Sequence, residues 1–542
     1  MIVRRLPGFI LTVSWRSGIL LIAAALFCAA AKTPAAKSAG AKAKSVKSAT
    51  PKSAPPKSAA SKDAATQKAE PVLPAKGAAS ETLKPADQYR ALWVDAFHEG
   101  FKTPEQTENL VKQARQRHFN TLLIEVRKCG DAYYRSDYEP SALDVAPAYD
   151  PLAHVVALCH DMANGQPRVE VHAWVVVYKV SRQGIPNPRG HVLKNHPKWV
   201  CTDSRGRTVE GDCVYLDPGV PEVVDYTAAV IQDMARKYEV DGVHLDYCRY
   251  PDGDWGYNPV AVERFQKQYA KRGKPKADDP DWGQFRRDQV SALVRRVYSA
   301  TRAVRPKAKI SLAAIAYGHP NGDFQLSPPY QQVFQDWAGW LKEGVVDAVF
   351  LMNYKHEAQA DQRKDYRQWN DMAAQLAGER HVIIGQGSYM QLASLSLTQL
   401  RAALATKGLS GVAVYSYAAP TSRQSEKPAF WAALQNGLFA APVPAPQAKW
   451  VEYPRNGALA GKAMENKKSL TGASSAPLDA AIIGINGPTK RTIKTDGSGC
   501  YVLAELPPGR YSVRVTTPDR RYTDALALIV PGRVTRCDLT VK

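Results

Sequence analysis

Between roughly residues 87 and 440, short contiguous apolar runs alternate with longer stretches in which apolar residues recur every three or four positions. The short runs read as strands: YRALWVDAF (89–97), TLLIEVRKC (121–129), VEVHAWVVVY (169–178), DGVHLDYCRY (241–250), KISLAAIAY (309–317), VDAVFLMNY (346–354), HVIIGQGSY (381–389) and GVAVYSYAA (411–419). The stretches between them, such as TPEQTENLVKQARQRH and PEVVDYTAAVIQDMARKY, carry helical spacing. The first of these opens on Thr103, Pro104 and Gln106, a helix-capping signature. Strands that alternate with helices in this way predict an α/β chain with a parallel sheet, and eight such units predict a (β/α)8 TIM barrel over 87–440. No GxGxxG turn follows a strand and no P-loop occurs, which argues against a doubly wound nucleotide-binding sheet.

Past Ala440 the pattern changes. Residues 441–475, opening on APVPAPQ, read as a linker, and 476–542 as a small β-sandwich of short strands (AAIIGI, CYVLAEL, RYSVRVTT, ALALIV). Turns at Asp496-Gly497-Ser498-Gly499 and Pro507-Pro508-Gly509 separate them. The DGSGxY turn and the LPPGxYxVxV segment resemble the carboxypeptidase regulatory-like domains, which implies an accessory module.

Composition alters the reading mainly at the N-terminus. Residues 1–31 combine Arg4, Arg5 and Arg16 with the apolar run Ile19–Phe27 and small residues at Ala29 and Ala31, the pattern of a secretory signal. An uncleaved anchor and lipidation at Cys28 are the lesser alternatives. Residues 32–86 are Ala, Lys, Ser and Pro with almost no large apolar residue, so they are expected to be a disordered tether. That tether carries a net charge of about +8 of the total +21; the plain reading is a solvated spacer, and the sharper one is a spacer drawn to anionic envelope polymers. The expected location is therefore the periplasm, the cell envelope or the medium, and nucleic acid is set aside as a partner. Seven cysteines follow the signal, and in an oxidising compartment Cys201–Cys213 and Cys500–Cys537 are the expected pairs. No spacing resembles a zinc site, and the reading calls for no metal and no cofactor.

The candidate chemistry lies on strand faces. Residues two apart on a strand share a face, so His244 and Asp246 point together, as do Glu125 with Arg127 and His172 with Trp174. Charges facing the helix layer would be costly, so these sets are expected to face the interior near the C-terminal mouth. Any one of them has an architectural explanation, as a buried ion pair or a satisfied core histidine; several at corresponding strand ends favour a site. With Asn353 and Tyr354, Gln386 and Ser388, and Tyr415 and Tyr417, they describe a polar, aromatic cup suited to a sugar.

RALWVDAF, FNTLLIEVRKCGDAYYRSDYEP, VEVHAWVVVY, YLDPGVPEVVDY, DGVHLDYCRYP, MNY and IGQGSY together resemble the glycosyl hydrolase-like ten family of bacterial proteins. The resemblance covers the whole barrel. It implies a secreted or envelope-associated barrel acting on glycosidic bonds, with peptidoglycan glycan among the substrates suggested for the family. On that match Asp246 is the leading catalytic candidate, and Arg127, Asp131, His172 and Asn353 fall in other motif blocks. A glycosidase needs one protonated and one ionised carboxyl group. Asp246 is expected to be the ionised one, held charged by Arg127 or Arg249, with His244 either orienting it or contacting the sugar. Asp95, Glu125, Asp131 and Glu357 are candidates for the acid. Asp95 is favoured, because Glu125 has Arg127 beside it to satisfy it. Two other readings stay open: a non-catalytic glycan-binding barrel and an α-glucan hydrolase.

Overall fold

The computed structural model describes residues 87–469 and 472–542. The expected signal segment and tether, residues 1–86, lie outside the described residues. The barrel closes as expected. Its strands are β1 (Tyr89–Val94), β2 (Thr121–Arg127), β3 (Glu170–Val176), then, after the short pair β4 (Lys179–Arg182) and β5 (Cys213–Tyr215), β6 (Gly242–Asp246), β7 (Lys309–Ile315), β8 (Ala348–Met352), β9 (His381–Gly387) and β10 (Gly411–Tyr415). All eight barrel strands pair in parallel, β1 closing on both β2 and β10. Strands β4 and β5 form a separate antiparallel ribbon inserted between β3 and β6.

Alternation of side chains explains the two cores. Leu122, Ile124, Val243, Leu245, Val349 and Ile384 point outward into the helix layer, whereas Tyr89, Trp93, Leu123, Trp174, Phe350 and Ile383 fill the interior. Space inside is tight: a Cβ at Gly385 would come within 2.7 Å of the Trp93 ring, so glycine is required where strand and indole meet. Below the mouth the interior is polar but paired. Lys309 Nζ donates to Glu170 at 2.7 Å and to the Tyr89 hydroxyl at 3.0 Å, and Tyr89 lies 3.2 Å from His381 Nδ1.

The C-terminal domain is a sandwich, with one correction. Gly457–Ser469, expected to be linker, is its 13-residue strand β11. Strands β12 (Gly472–Pro477), β13 (Ile482–Asn486), β14 (Lys490–Lys494), β15 (Cys500–Leu506), β16 (Gly509–Thr516), β17 (Tyr522–Ile529), β18 (Val534–Arg536) and β19 (Leu539–Val541) complete it. One sheet runs β12-β11-β15 with β18 and β19 also on β11; the other runs β14-β13-β16-β17. β11 escapes a periodicity reading because its buried residues include Ala458 and Ala463, which carry little apolar signal. The sandwich packs on the barrel through the 25-residue helix Pro280–Val304. Charged groups secure the contact: Arg264 forks onto Asp479 at 2.8 and 3.0 Å, and Arg380 reaches Glu505 at 2.7 Å.

Both expected disulfides are corrected, since all seven described cysteines are free thiols. The strand neighbour of Cys201 is Tyr215, whose carbonyl accepts from its amide, so Cys213 sits two residues, about 7 Å, further along. Cys500 lies on β15 and Cys537 precedes β19, on opposite sides of β11, about two strand spacings apart.

Candidate active site

Asp246 is the last residue of β6 and points inward. Its Oδ2 accepts from Trp174 Nε1 at 3.1 Å and its Oδ1 from the Tyr247 amide at 2.6 Å. The second bond exists because Tyr247 turns the chain through the left-handed region (φ 49°), a strained conformation for a bulky residue of the kind found where a neighbouring group must be aimed. Burial raises the Asp246 pKa, while these two hydrogen bonds and the charges of Lys179 and Arg249 pull against it.

Glu125 is the companion carboxyl. It is 1% exposed, and its Oε2 accepts from the Ala96 amide at 2.7 Å, leaving Oε1 for a proton. Burial, and then the neighbouring Asp95 and Asp246, push its pKa up to about 8. At neutral pH Glu125 therefore holds its proton. Asp95 is differently occupied: its Oδ1 accepts from the Phe97 and His98 amides and lies 2.6 Å from His98 Nδ1. That contact raises the His98 pKa. Asp95 shapes the loop after β1 through these contacts, whereas Glu125 accepts only the Ala96 amide.

The expected pairing of Glu125 with Arg127 is also corrected. A bulge between these residues, where β2 meets β3, turns Arg127 out of the interior. Arg127 instead forks onto buried Glu139 and donates to the Val176 and Val177 carbonyls. It is a strut between strand and loop and touches no mouth carboxylate.

Two contrasting walls surround the carboxyl groups. On the β8–β10 side Tyr354, Tyr389 and Tyr415 form a triangle with ring centroids 5.7 to 6.2 Å apart, and Tyr415 also meets Trp93 and Trp174. On the β3–β6 side, Lys179 Nζ lies 4.0 Å from the Tyr247 ring centroid and the Arg249 guanidinium 4.8 Å from it. Lys128, Lys179 and Arg182 all lie within 5.7 Å of the Phe97 ring centroid. Lys179, Tyr247 and Tyr389 were not anticipated. The charge closing the apolar run VVVYK is a signal for Lys179, and Tyr247 and Tyr389 lie in the motif blocks DGVHLDYCRYP and IGQGSY.

The remaining expected site residues lie elsewhere. His244 is wholly buried beneath the mouth, its Nε2 accepting from Trp93 Nε1 at 3.2 Å and its Nδ1 3.1 Å from Ser311 Oγ. Burial, and then His172, hold its pKa well below the imidazole range, so it stays neutral. His172, 2.9 Å from the same hydroxyl, is equally enclosed. Both histidines set the Trp93–Ser311 layer on which the mouth rests. Asn353 and Gln386 are corrected as cup residues. Asn353 points into the helix layer towards Tyr366 and Asn370, and Gln386 towards Ser396 and Gln399. The inward positions of these strands are Met352, Gly385 and Gly387, one residue out of step. Asp131 caps the amides of Lys128 and Cys129, and Glu357 forks with Arg367 at 2.8 and 3.0 Å. Neither belongs to the carboxyl cluster. A cavity of about 350 Å³ between the helix Pro280–Val304 and the sandwich, lined by Arg264, Asp288 and Lys494, contains no residue of the mouth.

The closed (β/α)8 barrel thus carries at its mouth two buried carboxyl groups, Asp246 held by two hydrogen bonds and Glu125 with a raised pKa, beside a wall of aromatic rings. The chain belongs to the Glycosyl hydrolase-like 10 family, whose model matches residues 88–394. It is 25% identical over 290 residues to Glycosyl hydrolase YngK of Bacillus subtilis (strain 168), covering 48% of this chain and 53% of that protein. To Glycosyl hydrolase DigH of Escherichia coli (strain K12) it is 26% identical over 247 residues, 42% of this chain and 53% of that one. The chain thus spans about half the length of the curated relatives it matches. The solved glycoside hydrolase domain of PgaB (BpsB) from Bordetella bronchiseptica aligns with 64% of this chain and 98% of its own at 17% identity, with a TM-score of 0.47.

Proposed function

We propose that the protein is a glycoside hydrolase that cleaves glycosidic bonds in a bacterial polysaccharide, with peptidoglycan glycan strands as its substrate, and that it works outside the cytoplasm. The observation that carries this reading is the pair of carboxyl groups placed in one mouth in unequal surroundings. Glu125 accepts one backbone hydrogen bond and burial pushes its pKa up to about 8, whereas Asp246 accepts two hydrogen bonds and has Lys179 and Arg249 acting to lower a pKa that burial raises. Unequal carboxyl groups of this kind are what glycoside hydrolysis uses. Glu125 gives its proton to the leaving glycosidic oxygen, and Asp246 attacks the anomeric carbon or takes a proton from the attacking water. Trp174 holds Asp246 in place, and the Tyr354–Tyr389–Tyr415 wall offers ring faces for sugars.

The export-type N-terminus and the basic segment after it support an envelope location, with the +8 segment holding the enzyme near anionic wall polymers. The test is reducing-end release from purified glycan strands, with α-glucans in parallel. Release from the strands alone is expected. Release from α-glucans alone would replace the substrate, and binding without release from either would reduce the protein to a glycan-binding barrel.

A further inference from the structure

The C-terminal sandwich turns one of its two sheets to the barrel. On β15, Tyr501 and Leu503 fill the sandwich core while Val502 and Ala504 join the barrel's helix layer, so this strand is covered on both faces. The other sheet, β14-β13-β16-β17, puts Ile483, Val513 and Ala527 into the same core and presents its outer face to solvent. Alternation would make that outer face polar. Instead Ile482, Tyr522, Leu526 and Leu528 project from it, and Val530 follows just past β17, all between 44 and 80% exposed. Among the described residues these are five of the twelve large apolar side chains left in solvent, and they share one face. Cross-strand pairing sets cations among them. Arg510 lies opposite Leu528, Lys494 opposite Ile482, and the Arg514 guanidinium 4.3 Å from the Tyr522 ring centroid, with Lys490 on the same side of β14. The carboxylate on the outward positions of these strands, Asp524, is taken by Arg514 at 2.7 and 2.8 Å. The rim of β17 is occupied as well: Thr535 donates its hydroxyl to the Leu528 carbonyl at 2.7 Å, with β18 and β19 alongside. What stays open is the face, not a ladder for an added strand.

We propose that this outer sheet face docks on an anionic lipid surface, with Leu526, Leu528 and Val530 entering the boundary between headgroups and acyl chains and Lys490, Lys494, Arg510 and Arg514 meeting lipid phosphates. The inference goes beyond the hydrolase reading and does not depend on it. Exposed leucines call for a partner with hydrocarbon, and the cations around them for one with negative charge; an anionic lipid surface supplies both. A polysaccharide offers the leucines no hydrocarbon. A second copy of this chain would set the same four cations against one another.

The test is amide hydrogen exchange, read by mass spectrometry, on the full-length protein with and without phosphatidylglycerol vesicles. Residues 1–86 are basic, with an apolar run of their own, and can hold the chain to such vesicles, so the readout has to be local. Exchange in peptides covering 509–530 should slow by at least about threefold, and phosphatidylcholine vesicles should slow it less. Leu526→Ser combined with Leu528→Ser replaces exposed side chains, so it should leave the thermal transition in place while abolishing the protection. Leu526→Met with Leu528→Met should retain the protection. Unchanged exchange over 509–530 with the anionic vesicles would overturn the proposal, whatever the N-terminal segment does. Protection that survives the serine pair would overturn it too, because the face would then not be the contact. Protection that appears without vesicles as the protein concentration rises would give the face to a second copy of the chain and end the lipid assignment.

Discussion

Replacing Glu125 by glutamine should stabilise the protein while disabling it, and the size of the stabilisation should depend on pH. Glutamine keeps the side-chain length and an oxygen for the Ala96 amide, and its amide occupies the position of the acid hydroxyl. In the unfolded chain the glutamate ionises near its ordinary value of 4.5; in the folded protein it does so near 8. Below both values the group is protonated in either state and contributes nothing. Between them the unfolded chain binds fewer protons than the folded one, so the stability of the parental protein falls as pH rises, levelling off above about 8. At about 1.4 kcal/mol for each pH unit above 4.5, the penalty is under about 1 kcal/mol at pH 5 and about 3 kcal/mol at pH 7. The glutamine variant escapes it. Urea unfolding of both proteins at the two pH values, followed by tryptophan fluorescence, measures the difference, and other titrating groups cancel in the comparison. An advantage for the variant that is equal at pH 5 and pH 7 would refute the raised pKa, and with it the assignment of Glu125 as acid.

The same protonation logic predicts a bell-shaped kcat/KM profile. Activity should fall on the basic side through about pH 8 as Glu125 ionises, and on the acidic side at a pH above the ordinary aspartate value as Asp246 takes up a proton. A basic limb unchanged in Glu125→Gln would assign it to another group. Asp246→Asn should lower activity by about 10³-fold or more with the fold retained, as judged by circular dichroism alongside reducing-end release; parental rates in that variant would make the aspartate structural. Arg127→Met should destabilise by about 3–5 kcal/mol in denaturant melts, because it strands buried Glu139 without its counter-charge. It should leave the pH profile in place, whereas a shifted basic limb would show that Arg127 acts on the mouth after all. Thiol titration in denaturant of protein recovered from an oxidising compartment should find Cys201, Cys213, Cys500 and Cys537 free, and peptide mapping that finds either expected bridge would contradict the strand spacing.

Much of the barrel was legible because its evidence is local. A strand reports which face it buries through a two-residue alternation, so DGVHLDYCRY by itself places His244 and Asp246 on one side and Val243 and Leu245 on the other. Repetition of strand and helix eight times leaves closure as the natural solution for a parallel sheet. The limits of that evidence are equally specific. Alternation says which residues share a face but not which face turns inward, so it allows Asn353 and Gln386 in the cup, whereas the inward positions are Met352, Gly385 and Gly387. It does not reveal a bulge, which depends on the pairing of two strands, and the bulge in β2 parts Arg127 from Glu125. Nor can depth along the barrel be read from one strand. His244 and Asp246 share a face, yet the first is enclosed by Trp93 and Ser311 and the second stands at the mouth. Protonation is the least local property of all. Which carboxyl group keeps its proton depends on desolvation by the whole barrel and on charges brought together from the ends of β1, β2 and β6 and from the start of β4. Only the tertiary structure decided it, because electrostatic energy depends on distance in space and on the exclusion of water, and neither is encoded by a residue's neighbours in the chain.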